Sequence, residues 1–288
     1  MHLQNEVSIN FQKITTNGIR LHTALAGPEG GEPVFLLHGF PDAWFGWEAQ
    51  IGPLANAGFR VIVPDQRGYN LSDKPDGVAS YQMDILVKDI LGLADAMGYK
   101  RFHIAGHDFG AMVCWNLAIC CPDRIKRMVI ANVPHPQVMS SYLRSHIEQM
   151  LKSWYAIFFQ IPGLPEWTVK LNNWRFLISA MSDDLSEEER DRYRTAWNQT
   201  GAMTGMMNWY RAFFRLPKKT TQFSKIQVPT LILWGKQDPH LCYEMAALSV
   251  KLCDNGHLIT FEDANHWVLQ DESESVSQTI VEYFLENQ

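Results

Sequence analysis

Apolar residues fall into two rhythms along this chain. Short continuous runs, Val34-Phe35-Leu36-Leu37, Val61-Ile62-Val63, Phe102-His103-Ile104-Ala105 and Met128-Val129-Ile130, read as strands buried on both faces. Helical stretches, for example residues 83–97, separate them. That alternation predicts an α/β fold, a parallel sheet with helices on both sides. Before it, residues 9–15 and 19–26 flank Asn17-Gly18, a dipeptide that tolerates positive φ and so favours a tight hairpin. The rhythm stops after Val133-Pro134-His135-Pro136. To about Leu216 the pattern is almost wholly helical, and then Thr230-Leu231-Ile232-Leu233-Trp234 and Leu258-Ile259-Thr260-Phe261 resume it. The expected organisation is a core (1–135), an inserted helical cap (136–216) and the rest of the core (217–288).

Composition narrows this picture. The 288 residues suit one large domain or a core with an insertion, and 46% hydrophobic content is enough for a sizeable interior. The formal charge of −6 is spread over both signs with no basic stripe, so nucleic acid is not an expected partner. Residues Met1 to Glu6 carry no basic cluster and precede no apolar stretch, which argues against a signal peptide. No run approaches the ~20 apolar residues of a membrane span. The five cysteines are odd in number and form no C-x-x-C pair, so a reducing, cytoplasmic location is expected. The cap segment holds five of the ten Trp and six of the twelve Met, which predicts apolar walls around a ligand. In the charged run Asp183-Asp184-Leu185-Ser186-Glu187-Glu188-Glu189, the Ser186 to Glu189 spacing is that of a capping box at a solvated helix start.

The most chemically specific stretch is Gly106-His107-Asp108-Phe109-Gly110, between an apolar strand and the helical run beginning Ala111-Met112-Val113. Small residues two before and two after a polar one permit a sharp strand-to-helix turn that presents the central side chain. Hydrolases often place Ser there; this chain has Asp. A carboxylate attacks without deprotonation but forms an ester that must be hydrolysed afterwards. That shifts the expectation from acyl transfer to displacement at saturated carbon. Alone, the pattern also fits an ordinary polar corner. Hydrolysing the ester needs water activated by a His that a carboxylate orients. Asp238, in Trp234-Gly235-Lys236-Gln237-Asp238-Pro239, follows one late strand, and His266, in Asn265-His266-Trp267, follows the last. The chain order Asp108, Asp238, His266 is nucleophile, acid, base.

With His38-Gly39-Phe40-Pro41 and Asp65-Gln66-Arg67-Gly68-Tyr69, these motifs resemble the successive core motifs of an epoxide hydrolase of the α/β-hydrolase superfamily, over nearly the full length. The resemblance implies a mostly parallel eight-stranded sheet with an N-terminal antiparallel hairpin and an inserted helical cap. It implies backbone N–H groups of Phe40 and Phe109 as an oxyanion hole, and a cis bond before Pro41. It also implies two cap tyrosines that hold the epoxide oxygen. Tyr155, eight positions before Gly163, and Tyr210, in Asn208-Trp209-Tyr210-Arg211, match them. Trp154, Phe158, Met203, Met206, Trp209, Phe213 and Trp267 are the expected pocket lining, around a small apolar epoxide and water. The sequence departs from the family at Phe109, where Trp is common, and at Asn265, where Gly is usual. Haloalkane and haloacetate dehalogenases share such a core, but Phe109 offers no side-chain donor for a halide, and no cation follows Asp108 to hold a carboxylate. A receptor on the same fold need not keep the three residues together. Neither a P-loop nor a paired Cys/His motif is present, so no metal, nucleotide or other cofactor is expected.

Overall fold

The computed structural model describes residues 7–181, 185–217 and 225–286. Its centre is an eight-stranded sheet: β1 (Asn10–Thr16), β2 (Ile19–Ala26), β3 (Glu32–Leu37), β4 (Phe59–Pro64), β5 (Phe102–His107), β6 (Ile125–Ala131), β7 (Thr230–Gly235) and β8 (Gly256–Phe261), in spatial order β1-β2-β4-β3-β5-β6-β7-β8. β1 and β2 pair antiparallel around Asn17 and Gly18, both at positive φ, as the dipeptide predicts. β2 joins β4 antiparallel, and every later pairing is parallel.

Side-chain alternation along the strands feeds two apolar cores. In β3, Phe35 and Leu37 point to one and Val34 and Leu36 to the other. Helices α1 (Glu48–Asn56), α2 (Met83–Ala96) and α3 (Phe109–Cys120) follow β3, β4 and β5. α2 and α3 contribute to the first core and α1 to the second. Between β6 and β7 run α4 (Pro136–Ser145), α5 (Ile147–Lys152), α6 (Trp154–Phe158), α7 (Leu164–Thr168), α8 (Leu171–Ile178), α9 (Glu187–Trp197) and α10 (Ala202–Arg215). α11 (Glu244–Val250), α12 (Val268–Asp271) and α13 (Ser273–Leu285) complete the chain.

The capping box at α9 forms in both directions between Ser186 and Glu189; Asp183 and Asp184 of the same charged run lie outside the described residues. Inside α8 the backbone turns left-handed at Asn172, Asn173 and Trp174. Asn tolerates that region, whereas for Trp it is costly. Burial of the Trp174 ring beside Trp197, with centroids 5.6 Å apart, offsets the cost.

The β6–β7 helices are fastened to the core by polar contacts as well as by packing. Trp209 Nε1 on α10 donates to the Arg67 carbonyl at 2.9 Å, and Arg67 forms a buried two-pronged pair with Asp89 on α2 at 2.6 and 2.7 Å. The Tyr193 hydroxyl and Trp197 Nε1 on α9 donate to Asp42 Oδ1 and the Pro41 carbonyl. α9 is thereby tied to the loop after β3, which carries Phe40.

Candidate active site

β5 ends at His107, α3 begins at Phe109, and Asp108 between them has φ 50° and ψ −124°. Such a conformation persists only when the surroundings enforce it. Two glycines allow that enforcement. A Cβ on Gly110 would stand 2.0 Å from the Leu37 carbonyl oxygen, and one on Gly106 would stand 2.6 Å from Cys114 Sγ and the Ala111 nitrogen. Both are therefore needed for close backbone approach. The turn directs the Asp108 carboxylate at the loop after β3, where Phe40 N–H donates to Oδ1 at 2.7 Å. The Phe40–Pro41 peptide is cis. Phe109 opens α3, so its N–H has no partner one turn earlier in the helix.

His266 joins the two carboxylates. Its Nε2 lies 3.6 Å from Asp108 Oδ2 and its Nδ1 lies 2.8 Å from Asp238 Oδ2. Asp238 is fully engaged: Oδ1 accepts from His240 N–H and Leu241 N–H at 2.7 and 2.9 Å, and Oδ2 also accepts from Asn132 Nδ2 at 2.8 Å. All three residues of the predicted constellation are thus brought together from the ends of β5, β7 and β8. Asn265, the departure before the base, has no positive φ; its Oδ1 accepts from Trp267 N–H at 2.8 Å.

Asp108, His266, Tyr155, Tyr210 and Phe109 line one cavity of about 710 Å³. The Tyr210 ring is held edge-on by Phe40 and Phe109, with centroids 5.2 and 4.6 Å away. Tyr155 lies 5.9 Å from Tyr210, centroid to centroid. Of the expected lining, only Trp209 and Phe213 face this cavity. On α6, Tyr155 and Phe159 share the inward face, so Trp154 and Phe158 turn away, and Trp154 is exposed. Met203 and Met206 are consumed in packing α10 onto the core. Trp267 is buried against the rings of both His107 and His266 and donates to the Ala180 carbonyl. The walls come instead from α2, α3 and α4. Met112, Asn116 and Cys120 repeat every four residues on α3, and Met83, Val87 and Leu91 do so on α2. Because Asp108 and Cys120 lie at opposite ends of α3, the cavity extends about 18 Å along it.

The chain matches the α/β hydrolase fold family over residues 32–273. It belongs to the α/β-hydrolase family. It is 43% identical to the AB hydrolase superfamily protein YfhM of Bacillus subtilis (strain 168), covering 97% of this chain and 99% of that one. Epoxide hydrolase 4 of Homo sapiens is 34% identical over 94% of this chain and 77% of the relative. The crystal structure of a Bacillus megaterium epoxide hydrolase in complex with an inhibitor superposes with a TM-score of 0.87 at 28% identity, covering 95% of this chain and 99% of that one. Its named relatives place this α/β-hydrolase among the epoxide hydrolases.

Electrostatics set the protonation states. Burial would raise the Asp108 pKa, but the adjacent His266 ring and its charge, then His107 and the Phe40 N–H, bring it below the ordinary carboxylate value. Asp238 is likewise held low against burial by His266 and Asn132. For His266, burial favours the neutral ring, yet the charge of Asp238, its hydrogen bond, and the Asp108 carboxylate 3.6 Å away raise its pKa to about 10. Burial foremost keeps both tyrosines protonated well above the usual phenol value.

Sequence reasoning missed Asn132, whose Oδ1 also accepts from Gly235 N–H at 2.9 Å, and His107, whose Nε2 lies 2.8 Å from the His266 carbonyl oxygen. His107 sits inside the nucleophile motif and was open to attention. Asn132 carried no signal, because an Asn after a strand is common.

The raised His266 pKa has a defined sign. Its folded value exceeds the ordinary 6.5, so its stabilisation is complete below about pH 6.5 and is lost as pH rises through about 10. Urea unfolding of the wild type should lose stability between pH 7 and 10, with the His266 ring of the folded protein titrating near pH 10 by NMR. Asp108→Asn should lower the midpoint and flatten the profile. Identical titrations in both proteins would contradict this charge arrangement.

Proposed function

We propose that this protein hydrolyses apolar epoxides to vicinal diols through an ester on Asp108. The observation that carries the reading is an anionic carboxylate at a strained turn, in one cavity with two protonated tyrosines and a His–Asp pair. Asp108 attacks one ring carbon, an Asp108–carbon bond forms, and the carbon–oxygen bond breaks. The developing alkoxide takes a proton from Tyr155 or Tyr210, whose hydrogen bonds strengthen as that charge grows. Esterification removes the Asp108 anion, one of the causes that raise the His266 pKa, so the imidazolium gives up its proton and the tyrosinate is reprotonated. Neutral His266, oriented by Asp238, then takes a proton from water as the water attacks the ester. The N–H groups of Phe40 and Phe109 hold the oxyanion. Collapse releases the diol and restores the Asp108 carboxylate and His266 imidazolium.

Residues 136–216 serve in this reading as a cap that supplies Tyr155, Tyr210 and one wall of the cavity. A cavity extending about 18 Å along α3 suits aryl or medium-chain alkyl epoxides. A cytoplasmic location is supported by five unpaired cysteines. Paired tyrosines favour an epoxide oxygen over a halide as the group activated in the displacement.

Two measurements test the roles. His266→Gln should alkylate and stall, and intact-protein mass spectrometry should find the mass of one epoxide added on Asp108; full turnover by this variant would remove His266 from the role. Tyr155→Phe or Tyr210→Phe should slow alkylation by ~10²-fold, within the usual range for general acids. The double change should nearly abolish it, and unimpaired alkylation by the double variant would require another donor.

A further inference from the structure

α5 and α6 are packed inside out. Their inward positions are Gln149, Ser153 and Ala156, all buried, together with Tyr155 facing the cavity. Their outward positions are large and apolar: Ile147 is 74% exposed, Leu151 68%, Trp154 55% and Ile157 67%. The spacing of three, four and seven residues puts Ile147, Leu151 and Trp154 on one continuous stripe. The stripe is part of a wider concentration. Ten of the sixteen large apolar side chains that stand exposed among the described residues fall between Ile147 and Phe176, a stretch of 30 residues. Folding alone gives no reason to direct the large residues outward and the small ones inward; contiguous exposed apolar surface marks an interaction site.

The charges beside the stripe identify what it fits. Within residues 144–175 the acidic side chains are Glu148 and Glu166, and both are paired, with Lys152 at 3.3 Å and Arg211 at 2.6 Å. Arg144, Lys170 and Arg175 form no ion pair among the described residues. The segment is thus cationic in a chain of net charge −6. Facing a second copy, these cations would meet their own kind. Facing an anionic lipid surface, they meet opposite charge, while indole rings such as Trp154 and Trp167 suit the headgroup level. No helix among the described residues is long and apolar enough to cross a membrane, so the contact is adsorption, as for an amphipathic helix lying in the interface. We propose that the outward face of α5–α8 docks the protein onto anionic phospholipid bilayers.

Vesicle flotation tests this with the full chain. The wild type should float with phosphatidylcholine vesicles containing phosphatidylglycerol and remain behind with phosphatidylcholine alone. Ile147→Glu with Leu151→Glu, and separately Lys170→Glu with Arg175→Glu, should each reduce flotation at least tenfold, with unchanged thermal melts by circular dichroism showing that the variants fold. Salt near 1 M, where the screening length is about 3 Å, should weaken the initial attraction. Lipids brominated near the headgroup should quench wild-type tryptophan emission. Flotation equal in wild type and both variants would overturn the proposal, as would a wild type that does not float. Should that non-floating protein form a dimer in sedimentation velocity that Ile147→Glu with Leu151→Glu abolishes, the face pairs two copies of the chain instead.

Discussion

Two carboxylates, the half-buried Asp108 and the buried Asp238, share one imidazole, and the site depends on that arrangement. Either carboxylate would be driven towards its neutral form by burial alone. His266 between them keeps both ionised, and they in turn keep it protonated. The three groups carry a single net negative charge, which the donors of Phe40, His240, Leu241 and Asn132 surround. Removing the Asp108 charge therefore takes away one of the causes that keep His266 protonated, and in the proposed reaction this turns a resting imidazolium into a base after the first bond has formed. The sheet places these residues at the carboxyl ends of β5, β7 and β8, and the glycines around Asp108 permit the backbone contact that fixes the turn.

The helices between β6 and β7 work on two sides. Their inner side brings Tyr155 and Tyr210 to Asp108 and closes an elongated apolar cavity against α2 and α3. Their outer side leaves a cationic, apolar surface. Tyr155 and the buried Phe159 share the inward face with the small or polar Gln149, Ser153 and Ala156, and this placement ties the two sides together. A helix that offered its largest side chains to the core at Ala156 or Ser153 would push the tyrosine from its place.

The core was legible in the sequence because strands, turns and nucleophile motif each leave a local mark. Asn17-Gly18 marks the hairpin, and continuous apolar runs mark the parallel strands. The order of Asp108, Asp238 and His266 after strands marks the site. The lid was legible as helical and aromatic, but not in its orientation. Short helices such as α6 and α7 have too few turns for periodicity to say which face is buried. The expectation that Trp154 and Phe158 line the pocket therefore failed, and the left-handed turn at Asn172 to Trp174 left no pattern to read. Asn132 was invisible for another reason: its role exists only through contacts with Asp238 and Gly235, more than a hundred residues away.

The central claim is that Asp108 forms a covalent ester whose own carbonyl is attacked by water. A single turnover of excess enzyme with a terminal epoxide in ¹⁸O-labelled water measures this directly. The account requires the label in the Asp108 carboxylate, read by mass spectrometry of the peptide containing it, and an unlabelled first-turnover diol. Label found only in the diol, with Asp108 unlabelled, would mean that water attacks the epoxide directly and would contradict it.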